Sequence, residues 1–226
     1  IIPLSIGIRG KTNKISEPEQ TLTEALKEAS RYPSYWLLCG GFFVCGFHVS
    51  FIATHLPPFL SDNNLGPLVA ATAIAIIGFF NILGTLASGW LGGKFRQKHV
   101  LSYYYLARSV VLGCFLIFPV NQTSVLIFAA LIGFLWLGTV PLTSGLVAKI
   151  FGARYLGALF GIVFFSHQLG GFLGAWLGGV IFDLRGNYDL IWIIAVVLGL
   201  MAAIIHWIIA DQPIERSVES VQTIKA

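Results

Sequence analysis

Seven side chains able to hydrogen-bond or carry charge, His48, His55, Asn81, Arg108, Trp136, His167 and Gln168, stand inside long apolar stretches of a 226-residue chain. A guanidinium can grip a carboxylate through two parallel bonds. A histidine donates, accepts or titrates near neutral pH, while the amides and the indole offer neutral hydrogen bonds. His48 and His55 are seven residues apart, which on a helix puts them on one face and about 10 Å apart along the axis. His167 and Gln168 are adjacent in a glycine-rich run. Arg108 is the most telling, because a guanidinium at the centre of a membrane helix costs roughly 2.5–3.5 kcal/mol. Two readings remain open for it: a fixed cation facing an anionic solute, or a tie between helices that bonds carbonyls or stacks on Tyr104 and Tyr105. His48 and His55 have the same pair of readings, since a neighbouring backbone carbonyl would satisfy each of them.

The elements that must position these groups follow from composition. Apolar residues make up 56% of the chain and charged residues 11%, and the mean hydropathy is +0.82. These values exclude an ordinary soluble enzyme. A helix needs about 20 apolar residues to cross about 30 Å of hydrocarbon, and six such runs occur: Tyr35 to Leu60, Pro67 to Leu91, Val100 to Pro119, Ser124 to Val147, Leu156 to Phe182, and Leu190 to Ala210. Short polar connectors separate them, among them Ser61-Asp62-Asn63-Asn64, Asn121-Gln122-Thr123 and Arg185-Gly186-Asn187. Aligned at their midpoints, the first five spans bring His48, Asn81, Arg108, Trp136 and His167-Gln168 to one slab at the bilayer centre, where transporters hold solute. No Asp or Glu falls inside a span, so a proton-coupled process in this region would have to use a histidine.

Twelve of the 14 Lys and Arg residues fall in the two terminal segments and the second-to-third and fourth-to-fifth connectors. The opposite connectors hold only Arg185, and Arg108 is within a span. This asymmetry puts both termini in the cytoplasm of a multi-pass cytoplasmic-membrane protein. It also argues against nucleic acid as a partner of a chain with net charge +4, because the basic residues sit in connectors rather than along one solvated face. Residues 1–33 read as a cytoplasmic linker, 34–210 as the bundle and 211–226 as a cytoplasmic tail. Within the linker, Thr21-Leu22-Thr23-Glu24 is a capping box, and Leu22, Ala25, Leu26 and Ala29 recur at helical spacing. That short amphipathic helix lies along the membrane surface or stands free in solvent. The sole methionine is Met201, so Ile1 is not an initiator, and Ile1 to Leu4 resemble the tail of an earlier span. Cys39, Cys45 and Cys114 all lie in apolar runs, where a disulfide framework or metal site is not expected, and no cofactor is implied.

Small residues recur at spacing four in the second span (Gly84, Ser88, Gly92) and the fifth (Gly170, Gly174, Gly178), which lets helix backbones approach closely. Asn81 and His167 lie on these stripes, so the expectation is a six-helix body packed against another body across a polar cavity. The connector Gly89-Trp90-Leu91-Gly92-Gly93-Lys94-Phe95-Arg96-Gln97-Lys98 resembles the signature loop of the major facilitator superfamily, with Gly93 where that family usually has an aspartate. Phe151-Gly152-Ala153-Arg154-Tyr155-Leu156-Gly157 with Gly161 resembles the loop entering the eleventh helix in its monocarboxylate and oxalate/formate branch. The resemblance implies an all-α polytopic membrane protein whose six transmembrane helices form one half, helices seven to twelve, of a twelve-helix major facilitator fold. It further implies a missing N-terminal six-helix half and a secondary active transporter, symport or antiport, that moves a small solute, in this branch a carboxylate. Lys94, Arg96 and Lys98, with Gly89 and Gly92, would then gate one state by loop contacts, or serve only to orient the chain. Monocarboxylate carriers place their substrate arginine on the eighth helix, whereas Arg108 would be on the ninth and Asn81 on the eighth.

Leu142-Thr143-Ser144-Gly145 and His206 also bear a faint likeness to an intramembrane serine protease of rhomboid type, although Leu142 replaces the first glycine. A channel or a non-transporting receptor on the same fold is the third alternative. His206, beside Trp207 near the end of the last span, reads as an interfacial anchor.

Overall fold

The computed structural model describes residues 20–216. Ile1 to Leu4, Arg9, Lys11, Lys14 and Lys225, and with them the proposed earlier span, the start of the linker and the end of the tail, lie outside the described residues. Among the latter all regular structure is helical: α1 (Leu22–Arg31), α2 (Pro33–Asp62), α3 (Pro67–Lys94), α4 (Gln97–Ile117), α5 (Gln122–Phe134), α6 (Thr139–Phe151), α7 (Leu156–Arg185) and α8 (Asp189–Ile208). Six helical spans are long and apolar enough to cross a membrane, α5 and α6 together forming the fourth. Pro33 and Pro67 open α2 and α3 at positions that need no N–H donor. Gly186, with φ +69°, ends α7 in the left-handed conformation. At 30 residues, α2 and α7 are each about 45 Å long, so they tilt or extend past the hydrocarbon.

The helices pack chiefly in pairs: α2 on α7, α4 on α8, and α3 on α5. Two apolar clusters fill the interior. One, at the end that carries α1 and residues 209–216, gathers Tyr35, Leu38, Phe42, Leu101, Tyr105, Leu142 and Leu146. The other centres on Trp192, whose ring meets Phe51 at 4.8 Å, Phe115 at 5.3 Å and Phe128 at 5.8 Å between centroids.

The glycine stripes do not have the partner expected from sequence. Gly170 and Gly174 seat against the backbone at Phe43 and Phe47 of α2, and Gly178 against the His55 ring. Gly84 rests on the Phe134 carbonyl and Gly133 on the backbone of Ile77, while Gly92 faces the Leu142 side chain. Ser88 is buried, its Oγ donating to the Thr85 carbonyl at 2.8 Å. The stripes hold this bundle together rather than facing a second body, because small residues serve any close helix crossing and their spacing does not name the partner. The outward faces are different ones: Phe165, Gln168, Phe172 and Trp176 on α7, and Phe79, Ile82, Leu86 and Trp90 on α3.

The short α1 forms the capping box read from sequence, the Thr21 hydroxyl accepting from the Glu24 N–H at 3.3 Å and the Glu24 carboxylate from the Thr21 N–H at 2.8 Å. It does not stand free. The Tyr155 hydroxyl donates to the Gln20 carbonyl at 2.7 Å, Trp36 Nε1 to the Ser30 carbonyl at 2.8 Å, and Arg216 pairs with Glu28 at 3.0 Å while also donating to the Phe151 carbonyl. These bonds fix α1 against the bundle's end.

Candidate functional site

The fourth span is not continuous. Its helix stops at Phe134 and restarts at Thr139, and two polar side chains from neighbouring helices answer the backbone groups released between. From α4, the buried Arg108 guanidinium donates through Nε to the Leu135 carbonyl at 3.0 Å and through Nη2 to the carbonyls of both Leu135 and Trp136. From α3, Asn81 Oδ1 accepts the Leu137 N–H at 3.0 Å. Interrupted backbone survives at membrane depth only where something else satisfies it. Arg108 Nη1 lies 3.5 Å from Cys45 Sγ, itself 3.2 Å from Thr139 Oγ1 at the start of α6, and the guanidinium also lies over the Tyr105 ring. Of the sequence-singled residues, Asn81, Arg108 and Trp136 therefore converge on one break. The reading of Arg108 as a tie that bonds carbonyls and packs on Tyr105 matches this placement.

His48 and His55 are elsewhere. His48 Nε2 donates to the Ala195 carbonyl at 2.8 Å and His55 Nε2 to that of Ala175 at 2.7 Å. Both rings are buried, so their hydrogen bonds join α2 to α8 and to α7. His167 packs between Phe42 and Phe164, with ring centroids at 4.9 and 5.3 Å. Its Nδ1 is 3.1 Å from Gln168 Oε1, while Nε2 is buried without a partner. Gln168 itself is exposed, and Asn81 and Trp136 are partly so. His206 is not an interfacial anchor: it is fully buried, stacked on Tyr105 at 4.8 Å, against Gly41, with Nδ1 donating to the Ala202 carbonyl. The exposed ring there is Trp207, stacked on His99. Ser144 Oγ donates to the Pro141 carbonyl, and it makes no pair with His206 of the kind a serine nucleophile requires.

At the end of the bundle that holds α1, a second polar cluster forms around a residue that sequence reasoning passed over. Asp211 is buried, and its carboxylate pairs with Arg96 and, at 2.9 Å, with Lys149. The Arg96 hydrogen bond, reinforced by Lys149, holds this carboxyl well below the usual range against the opposing effect of burial. Lys98 Nζ donates to the Ile209 carbonyl at 2.7 Å, and the Ala210 N–H donates to Ser34 Oγ at 3.0 Å. Residues 209–211 thus clamp the α3–α4 connector, the end of α6 and the start of α2. In this loop Gly93 stands where an acid was expected, and a carboxylate reaches the loop's arginine from beyond α8 instead. Lys94 lies 4.1 Å over the Trp90 ring, and Gly89 faces open space. The available signal was an acid just past the last span, at the end of the bundle richest in cations.

A family model described as Major Facilitator Superfamily matches residues 38–225. An uncharacterised MFS-type transporter of Bacillus subtilis, YcxA, is 29% identical over 207 residues, 85% of this chain and 50% of that protein. Monocarboxylate transporter 12-B of Danio rerio is 27% identical over 69% of this chain and 33% of its own length, and the MFS-type transporter YhjX of Escherichia coli 26% over 70% and 39%. The chain thus spans half or less of the length of these relatives. With six helical spans long and apolar enough to cross a membrane and a family match over residues 38–225, the chain belongs to the Major Facilitator Superfamily.

Proposed function

We propose that this chain is the C-terminal six-helix half of a secondary active transporter that moves a small carboxylate across the cytoplasmic membrane by alternating access. In this reading the end holding α1 and Asp211 faces the cytoplasm, as the excess of Lys and Arg there favours. The observation that carries the proposal is the interrupted fourth span. Discontinuous helices at mid-membrane are where transporters of several folds hold solute, the amino end of the second half-helix pointing at anionic groups. Here α6 begins at Thr139 with no side-chain cap, beside a guanidinium that never loses its charge. Arg108 keeps its positive charge beside the start of α6 even though its N–H groups are engaged by carbonyls. Asn81, Trp136 and Gln168, which keep exposure at this depth, are the proposed solute contacts, with His167 behind Gln168. Arg108 then positions the break, and His48 and His55 join helices.

The two ends of the bundle would alternate in closure against the missing half, with the Asp211 clamp holding α2, α6 and the α3–α4 connector as one unit while this half rocks. Counterflow by the full-length protein in liposomes, with a panel of small monocarboxylates and dicarboxylates and with neutral sugars as controls, tests the reading. Saturable exchange of at least one acid, with its half-saturating concentration raised about tenfold or more in Gln168→Ala, is expected. Exchange of the sugars alone, or flux that rises linearly with concentration, would refute it.

A further inference from the structure

Two grooves of similar size lie on opposite ends of the bundle's outer surface, and they differ in charge. One, of about 520 Å³ between α4 and α5, is lined by Val110, Cys114, Phe118, Ile127 and other apolar or neutral residues, with no cation. The other, of about 600 Å³, lies where α3 turns into α4, and its wall combines Leu91, Phe95 and Tyr103 with Lys94, Arg96 and His99. Phe95 and Tyr103 are more than half exposed, so the aromatic floor continues into the outer surface of the bundle. Lys94 has no carboxylate partner among the described residues, and the Trp90 ring steadies it. His99 is held by stacking on Trp207 at 4.6 Å, with Tyr103 edge-on to the same indole. Arg96 is turned partly toward Asp211 but keeps half of its side chain exposed.

The geometry points to a binding site for an anionic phospholipid of the cytoplasmic leaflet, its phosphate between Lys94, His99 and Arg96 and an acyl chain along Leu91, Phe95 and Tyr103. Two features select this occupant. A soluble anion has no use for an apolar trough that opens sideways, whereas a phospholipid offers charge and hydrocarbon in the same order as the groove. The cations sit among Trp90, Tyr103 and Trp207, the residue types that mark the headgroup level, and basic pockets between helices on the cytoplasmic side are suited to acidic headgroups. Arg96 belongs both to the groove and to the Asp211 clamp. The site rests on the orientation proposed above only for the leaflet named.

The test is native mass spectrometry of the full-length protein in detergent, titrated with phosphatidylglycerol, with phosphatidylcholine as the neutral lipid and glycerol 3-phosphate as the soluble headgroup. One phosphatidylglycerol retained per chain is expected, with apparent affinity falling about fivefold in Lys94→Gln, which removes a cation, and further in Lys94→Gln/His99→Gln, which also removes the imidazole hydrogen-bonding group. Thr123→Ala in the uncharged groove should change nothing. Equal retention of phosphatidylcholine, unaltered affinity in the double variant, no lipid retained by the wild type, or displacement by glycerol 3-phosphate at equal concentration would each overturn the assignment. Binding is read without a gradient or a transported solute, so a failed counterflow assay and a failed lipid titration are separate results.

Discussion

Replacing Asn81 by leucine keeps the number and branching of the side-chain heavy atoms and removes the one acceptor that meets the Leu137 N–H in the broken span. A buried donor left unpaired costs about 1–3 kcal/mol, and because the Leu137 N–H is only part-buried the loss is expected toward the lower end of that range. The Asn81 contact with Thr85 Oγ1 is long, at 3.4 Å, so Thr85→Val removes little and is expected to stay within about 0.5 kcal/mol of wild type. The contrast between two neighbouring substitutions on one helix face isolates the bond to the break from general effects on α3. Because Arg108 holds the carbonyl side of the same four residues, removing it together with Asn81 should give a non-additive total, with a coupling of about 0.5–3 kcal/mol. Equilibrium unfolding of the full-length protein in mixed micelles measures all three quantities. A loss below about 0.5 kcal/mol in Asn81→Leu, equal losses at positions 81 and 85, or strict additivity with an Arg108→Met change would refute the view that the break is braced from both sides.

Asp211→Asn should lower stability by about 1–2 kcal/mol, less than the roughly 3–5 for breaking a fully buried pair. The reduction follows because the side chains of Arg96 and Lys149 are 51% and 40% exposed and rehydrate when released. The carboxyl is held below its usual value of about 3.9, so its contribution is complete above that pH and fades only as pH falls further. The gap between wild type and variant in thermal denaturation should therefore be constant from pH 5 to 8, and a gap that closes within that window contradicts the assigned partners. Gly174→Ala forces a Cβ into the backbone at Phe47 and should cost about 1–3 kcal/mol. Gly113→Ala meets nothing within 4 Å and should be neutral or slightly stabilising through helix propensity, so equal effects in denaturant titrations would show that α2 and α7 are not in the close contact described.

The six crossings were legible because bilayer thickness sets a length and charged connectors punctuate it. What the sequence withheld was pairing. A stripe such as Gly170, Gly174 and Gly178 states how closely a partner approaches and leaves its identity open, and the partner is α2 of the same bundle. His48 and His55 looked like solute ligands because their carbonyl partners lie 147 and 120 residues away. Asp211 escaped notice for the same reason, being 115 residues from Arg96. The break in the fourth span was hidden differently: Leu135, Trp136 and Leu137 keep the hydropathy unbroken, and only Gly133, Gly138 and Pro141 mark the site, small or N–H-less residues within nine positions. A continuous helix there would satisfy its own backbone and give Asn81 and Arg108 nothing to bind. Conversely, Arg108 at that depth with no carbonyls freed beside it would be a charge without a partner in lipid. Break and braces each remove the penalty the other would incur, so neither could be lost alone without cost. This is why depth made Arg108 look like a solute contact while geometry makes it the residue that holds the broken fourth span in shape.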